Sequence, residues 1–277
     1  YDEKMLSVFE YLGLPTNNIL VKVDERRKVF KNIEDVLEPL SSETLETSTY
    51  ISKFLSAVSA GLFDAALNYL WDETVSQLRF RVSQYDIQYF FDLAVTSDKR
   101  TKLSTEDDLV KIDDSELIQG AKEIGLISDI GYRLLDNIKF MRNWASAAHP
   151  NQVELTGLQL IDWLETCIKE VISLPLSNLT IQIGKLLRNI KTNTLDEAEA
   201  ETISNFFCEL TSEKANSLCN GFFGIYCRID TTSDTKRNIK LLLPKLWYLV
   251  DEDVKWNCGI KYSKFQINND QTEAKLA

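Results

Sequence analysis

Apolar residues recur along this chain at steps of three and four, and little interrupts them. Ile130, Leu134, Ile138, Met141, Ala145 and Ala148 advance by 4, 4, 3, 4 and 3, which is one stripe of an α-helix. Residues that break such patterns are scarce. There are 10 Gly and 5 Pro in 277 residues, where average usage of ~7% and ~5% gives roughly 19 and 14. Sandwiches, barrels and Gly-rich nucleotide folds need more tight turns than that. The chain is expected to be all-α.

Capping and periodicity divide it. Residues 1–40 read as an N-terminal helical segment, with helices at Met5–Leu12 and Asp24–Leu37 around a turn at Pro15. Residues 41–174 read as one helical bundle. Its first helix is capped at Ser41-Ser42-Glu43 and carries Ile51, Phe54, Leu55 and Val58 on one face, with Gly61 as a break or kink. A polar loop with a short element inside it spans Thr96 to Asp114. The stripe from Ile130 starts at a Ser128-Asp129 cap and stops at Pro150. Leu160, Trp163, Leu164, Cys167, Ile168 and Val171 form the inner face of the next helix, and Leu174-Pro175 is the expected boundary. Residues 175–265 read as a second helical domain of four helices. Their pairing is compatible with a short HEAT-like solenoid, although no sequence period repeats. Residues 266–277 form a polar tail.

Charge and cysteine usage narrow the function classes. With 31 basic and 42 acidic residues the net charge is −11, so broad electrostatic binding of nucleic acid or anionic lipid is excluded. A polyanion would have to be met at a small, locally basic site. Five cysteines without a C-x-x-C pair read as reduced thiols of a cytoplasmic protein. No apolar run approaches the ~20 residues of a membrane span. The start, Tyr1-Asp2-Glu3-Lys4, lacks a methionine, as expected of a piece of a longer chain, and lacks a signal pattern.

His149 is the only histidine, so imidazole chemistry has one address. It stands in Met141-Arg142-Asn143-Trp144-Ala145-Ser146-Ala147-Ala148-His149-Pro150. Seven residues at ~100° each fall about 20° short of two turns, so Arg142 and His149 point from nearly one side of a helix. Both lie roughly 70–90° from the Met141/Ala145 stripe, at the edge of the expected buried face. A guanidinium that forks onto phosphate and a tunable imidazole suit metal-free RNA cleavage. Asn143 projects nearly opposite the stripe. The plainer alternative makes Arg142 a surface side chain and His149 a helix C-cap.

The stretch from Ile138 to Ile172 resembles the HEPN superfamily, the helical domains of many prokaryotic ribonucleases and abortive-infection proteins. Its signature is an arginine, often a polar neighbour, and a histidine a few positions on. Arg142, Asn143 and His149 match it at the long end of its spacing, and the small residues between them and the His-Pro-Asn turn are similar too. The resemblance covers roughly residues 45–173. It implies a HEPN-like bundle that dimerises, with RNA as substrate and no cofactor or metal. His149 would move a proton between the ribose 2′-hydroxyl and the leaving 5′-oxygen, Arg142 would stabilise the crowded phosphate, and Asn143 would orient one of these groups. Products would carry 2′,3′-cyclic phosphate and 5′-hydroxyl ends. A defence or toxin effector restrained by a regulatory protein or antitoxin is the expected setting. The alternative is a non-catalytic helical module for dimerisation and protein interaction.

Other features read as structural. Glu106-Asp107-Asp108 with Asp113-Asp114 has the oxygen ligands for Mg²⁺ but is more simply a solvated loop. Asp251-Glu252-Asp253 suits a helix N-terminus. Lys236, Arg237, Lys240 and Lys245 form a small basic face that could touch RNA but is more simply a solvated helix face, and Trp71, Trp144, Trp163 and Trp247 sit on helical patterns as core. No G-x-S-x-G elbow or G-x-x-x-x-G-K-[ST] loop occurs.

Overall fold

Side-chain caps set where this chain turns into helix. Asp86, Asp113, Thr156, Asp196, Thr211 and Thr232 each accept a backbone N–H from the first turn that follows. In three of them, at Asp113, Thr156 and Asp196, a glutamate or glutamine returns the bond. The computed structural model describes residues 2–145, 154–173, 178–228 and 231–267. Among them it is all-helical. The α-helices are α1 (Asp2–Tyr11), α2 (Val23–Leu37), α3 (Ser42–Thr47), α4 (Thr49–Ala60), α5 (Phe63–Ser83), α6 (Ile87–Ala94), α7 (Ser97–Arg100), α8 (Asp114–Glu123), α9 (Asp129–Ala145), α10 (Gly157–Cys167), α11 (Asn178–Thr192), α12 (Glu197–Asn205), α13 (Ser212–Cys227), α14 (Ser233–Trp247) and α15 (Glu252–Ile267).

Two compact units divide the chain, residues 1–80 with 127–175 and residues 81–126 with 176–277. This differs from the linear order expected. Residues 81–126 belong with the C-terminal helices, not with a bundle over 41–174, and residues 1–40 pack into the first unit rather than standing apart. The expected tail is helical through Ile267, and residues 268–277 lie outside the described residues.

In the first unit α2 lies along α10. They come close at Gly157, where a β-carbon would overlap the backbone carbonyl oxygen of Glu25. The Glu25 carboxylate accepts the Gly157 N–H at 2.9 Å, placing a negative charge on the N-terminus of α10. Gly157→Ala is therefore expected to destabilise. Alanine's helix propensity favours it by about 1 kcal/mol, but the clash is with backbone and forces α2 away, at about 1–3 kcal/mol or more. A denaturant midpoint unchanged or raised in this variant would contradict the close packing.

Gly61 ends α4 in the left-handed region at φ 79°. A β-carbon there would also strike the Arg26 guanidinium. Arg26 is buried, bonding Val21 O at 2.8 Å and Ser59 O at 3.2 Å and pairing with Asp2 at 2.8 Å. Ser41 caps the short α3 rather than a helix reaching Ile51, because Ser48 leaves helical geometry at ψ 78°. Ile51, Phe54 and Val58 are buried as expected of one α4 face, as are Leu67, Leu70, Trp71 and Leu78 on α5. The inner face of α10 is the one expected, and the helix closes in a π-turn at Ile168–Ile172.

In the second unit α6 packs on α8 across Gly120, where a β-carbon would come 2.6 Å from Phe90 and Ala94. Tyr89 is buried, and its hydroxyl donates to Ser217 O of α13 at 2.9 Å. Burial pushes that phenol well above its ordinary pKa. Asn238 of α14 is wholly buried. It donates to Ile190 O (2.9 Å) and Asn193 O (2.6 Å) and accepts from Leu195 N (2.8 Å), tying α14 to the end of α11 and the loop after it.

The acidic run before α8 has a structural use. One Asp108 oxygen accepts the N–H groups of Ser104 (2.7 Å) and Thr105 (2.9 Å), and the other pairs with Lys111. Lys111 first, then these backbone donors, hold the carboxyl well below the usual carboxylate range. A group depressed in the folded state contributes stability above its unfolded value near 3.8 and loses it as pH falls below that value. Asp108→Asn is accordingly expected to shrink the drop in denaturant midpoint between about pH 6 and about pH 3. An undiminished drop would rule this group out as a source of acid sensitivity.

Candidate functional site

Helix α9 carries the Arg–Asn pair. Ser128 caps it, its hydroxyl accepting the Gly131 N–H at 2.9 Å. Its buried residues are Gly131, Leu135 and Ile138. Of the stripe read from sequence Ile138 is buried, but Ile130 is 72% exposed and Leu134 42%. The buried face is turned by about 70° from the azimuth expected, with Ile138 common to both. Trp144 and Phe140 are also exposed, at 37% and 54%, and their rings meet at a tilt, with centroids 5.8 Å apart. Trp144 and Trp247 are thus not core residues, whereas Trp71 and Trp163 are.

This rotation moves Arg142 from the edge of the buried stripe onto it, one turn beyond Ile138 and two beyond Leu135. The side chain is half-buried. Its Nε donates to Asn68 Oδ1 at 2.9 Å, and one terminal nitrogen donates to Asn143 Oδ1 at 3.1 Å. Asn68 is itself fixed, donating to Asp64 O in the preceding turn of α5 at 2.9 Å. These two bonds run to amide oxygens and orient the guanidinium. Asn143 is exposed, and its amide folds back onto Arg142. The structure brings Arg142 and Asn143 together and adds Asn68, which the sequence reading missed. His149 lies outside the described residues.

The other charged features are committed elsewhere. Asp113 caps α8, and Asp251 accepts from Ser212 and Asn216 at 2.7 Å each. Among the described residues no group of three or more His, Cys, Asp or Glu side chains could hold a metal ion. Of the expected basic face, Lys245 pairs with Glu201 and Lys240 lies over the Tyr226 ring.

A cleft of about 220 Å³ in the second unit is lined by Arg100, Arg228, Lys191, Asp92 and threonines. Its cations are engaged: Arg100 and Arg228 share Asp92, and Lys191 pairs with Asp86. An apolar cleft of about 420 Å³ lies over α13 and α14, walled by Phe223, Ile239, Leu243 and Trp247. No helix among the described residues is long and apolar enough to cross a membrane. No protein-family model matches the chain, and no curated protein or solved structure shows significant similarity to it.

Proposed function

We propose that the first unit is a HEPN-like bundle acting as a metal-independent endoribonuclease, with Arg142, Asn143 and His149 as its catalytic residues. The observation that carries this reading is an arginine held by two amides, seven residues before the only histidine of the chain. In the reaction the ribose 2′-oxygen attacks phosphorus and the bond to the 5′-oxygen breaks. One imidazole takes the 2′-hydroxyl proton and an imidazolium gives one to the leaving oxygen. Arg142 forks onto the phosphate as charge builds on its oxygens. Asn143 steers that fork. The products are a 2′,3′-cyclic phosphate and a 5′-hydroxyl, and DNA, lacking the nucleophile, is inert.

A base and an acid are needed at once, and one chain has one imidazole. A homodimer supplies both, and the exposed row of Ile130, Leu134, Phe140 and Trp144 on α9 is an apolar face suited to such association. In this setting the protein is a cytoplasmic defence or toxin effector. Its second unit, with helix pairs akin to a short HEAT-like solenoid, would receive a regulatory partner or antitoxin.

The same apolar row favours a second reading, a dimerisation and protein-interaction module without chemistry, which also suits the −11 charge. One experiment separates them. The purified chain is incubated with transfer RNA or total RNA in EDTA, beside DNA of matching sequence, and the product ends are determined. Cleavage to cyclic-phosphate ends supports the nuclease. Intact RNA, or cleavage that appears only when Mg²⁺ replaces the chelator, removes it.

A further inference from the structure

The apolar cleft of about 420 Å³ lies wholly within the second unit. Phe223 and Tyr226 line it from α13, and Leu243, Pro244 and Trp247 line it from α14. Its volume and its largely aromatic lining match those of small-molecule pockets, which run from ~300 to ~1,000 Å³. Trp247 is 38% exposed and Pro244 is exposed too, so an occupant would take apolar surface out of water.

One charged group lines the cleft, and it is a cation. Lys240 holds its ammonium over the Tyr226 ring, 5.7 Å from the centroid. Lys236 and Arg237 precede it on α14 by four and three positions, steps that share one side of a helix. Among the described residues none of these three stands in an ion pair, whereas Lys245 is paired with Glu201. Lys255 lies over the Trp247 ring and has Glu252 as its partner. No carboxylate among the described residues lines the cleft, on a chain whose net charge is −11.

We propose that this cleft binds a small amphipathic anion, an apolar body with one carboxylate head, the chemistry of a medium-chain fatty acid. The body displaces water from Phe223, Leu243 and Trp247, and the head meets the Lys240 ammonium. A neutral molecule of the same shape gains only the first of these contributions. A cationic one meets Lys240 with Lys236 and Arg237 behind it. Charge complementarity therefore selects the head, and the cleft volume selects a small molecule. This site is independent of the nuclease reading, because every residue in it belongs to the second unit.

The test titrates the full chain with decanoate and follows the indole N–H signals by nuclear magnetic resonance. The Trp247 signal is identified by its loss in Trp247→Phe. It is expected to shift saturably, with a Kd tighter than about 1 mM. Decanol and decyltrimethylammonium should bind about tenfold more weakly or worse. Lys240→Met should weaken decanoate about three- to tenfold and leave decanol unchanged. Leu243→Trp fills the cleft and should abolish both. A Trp247 signal that stays fixed to about 5 mM decanoate overturns the proposal. So does equal affinity for decanoate and decanol, or decanoate binding unchanged in Lys240→Met. Trp247 responding only to vesicles of phosphatidylcholine and phosphatidylglycerol would assign the cleft to a membrane surface instead. A Trp247 shift that follows protein concentration without ligand would assign it to a second copy of the chain. Either result also overturns the proposal. If Leu243→Trp does not fold, the comparison of decanoate with decanol on wild type and Lys240→Met decides.

Discussion

Replacing His149 with alanine is expected to lower RNA cleavage by about 10²–10⁴-fold, and Arg142→Ala by a comparable factor. The first removes proton transfer and the second removes charge stabilisation at the phosphate, so their effects belong to one transition state. The double variant should be little worse than either single one. Arg142→Lys is the more searching substitution. It keeps a cation but loses the fork and the Nε bond to Asn68, and activity should stay well below wild type. Asn68→Ala should cost about tenfold by letting the guanidinium swing. The readout is initial cleavage rate in EDTA with product ends confirmed, on variants whose far-ultraviolet helix signal matches wild type. A His149→Ala chain that cuts as fast as its parent ends the nuclease reading.

The largest stability effect is expected at Asn238, which is 0% exposed. Alanine there would strand the carbonyls of Ile190 and Asn193 and the N–H of Leu195. Each buried orphan costs about 1–3 kcal/mol, partly recovered where the vacated space admits water. A loss of about 3–5 kcal/mol follows, a large share of the ~5–15 kcal/mol typical of a domain. Asn238→Leu should fare no better, because matching volume does not supply the missing partners. Chemical denaturation followed by fluorescence would report it. A loss under about 1 kcal/mol would mean the three bonds contribute no more than one ordinary exposed pair.

The helices themselves are legible in the sequence because caps and periodicity are local signals. Thr156 with Gln159 and the face from Leu160 to Val171 identify α10 without any knowledge of its neighbours. Azimuth is another matter. A tally of apolar residues on α9 selects Ile130, Leu134, Ile138 and Met141, yet of these Ile138 alone is buried, beside Gly131 and Leu135, with Arg142 half-buried on the same side. Glycine and arginine add nothing to such a tally, although one admits a close neighbour and the other buries its stem. Hydrophobic period reveals that a helix has a face, and packing decides which face is covered.

Long-range partners leave no local trace at all. Asn68 meets Arg142 across 74 positions, and Tyr89 meets Ser217 across 128. No spacing rule joins such pairs, so neither the positioning amide nor the assignment of residues 81–126 could be read in advance. The candidate site is legible for the opposite reason: a residue type used once, His149, draws attention to its surroundings by rarity alone.

The interleaving of the two units bears on how the protein is made. As the chain leaves the ribosome, residues 81–126 emerge long before the helices that cover them, and residues 1–80 wait for 127–175. Neither unit is complete when its first half appears, so early apolar surfaces such as Tyr89, Phe90 and Phe91 pass through a period without their native cover. Ending translation after Pro175 would leave that stretch permanently uncovered. Any attempt to express the first unit by itself has to leave out residues 81–126, not merely shorten the chain.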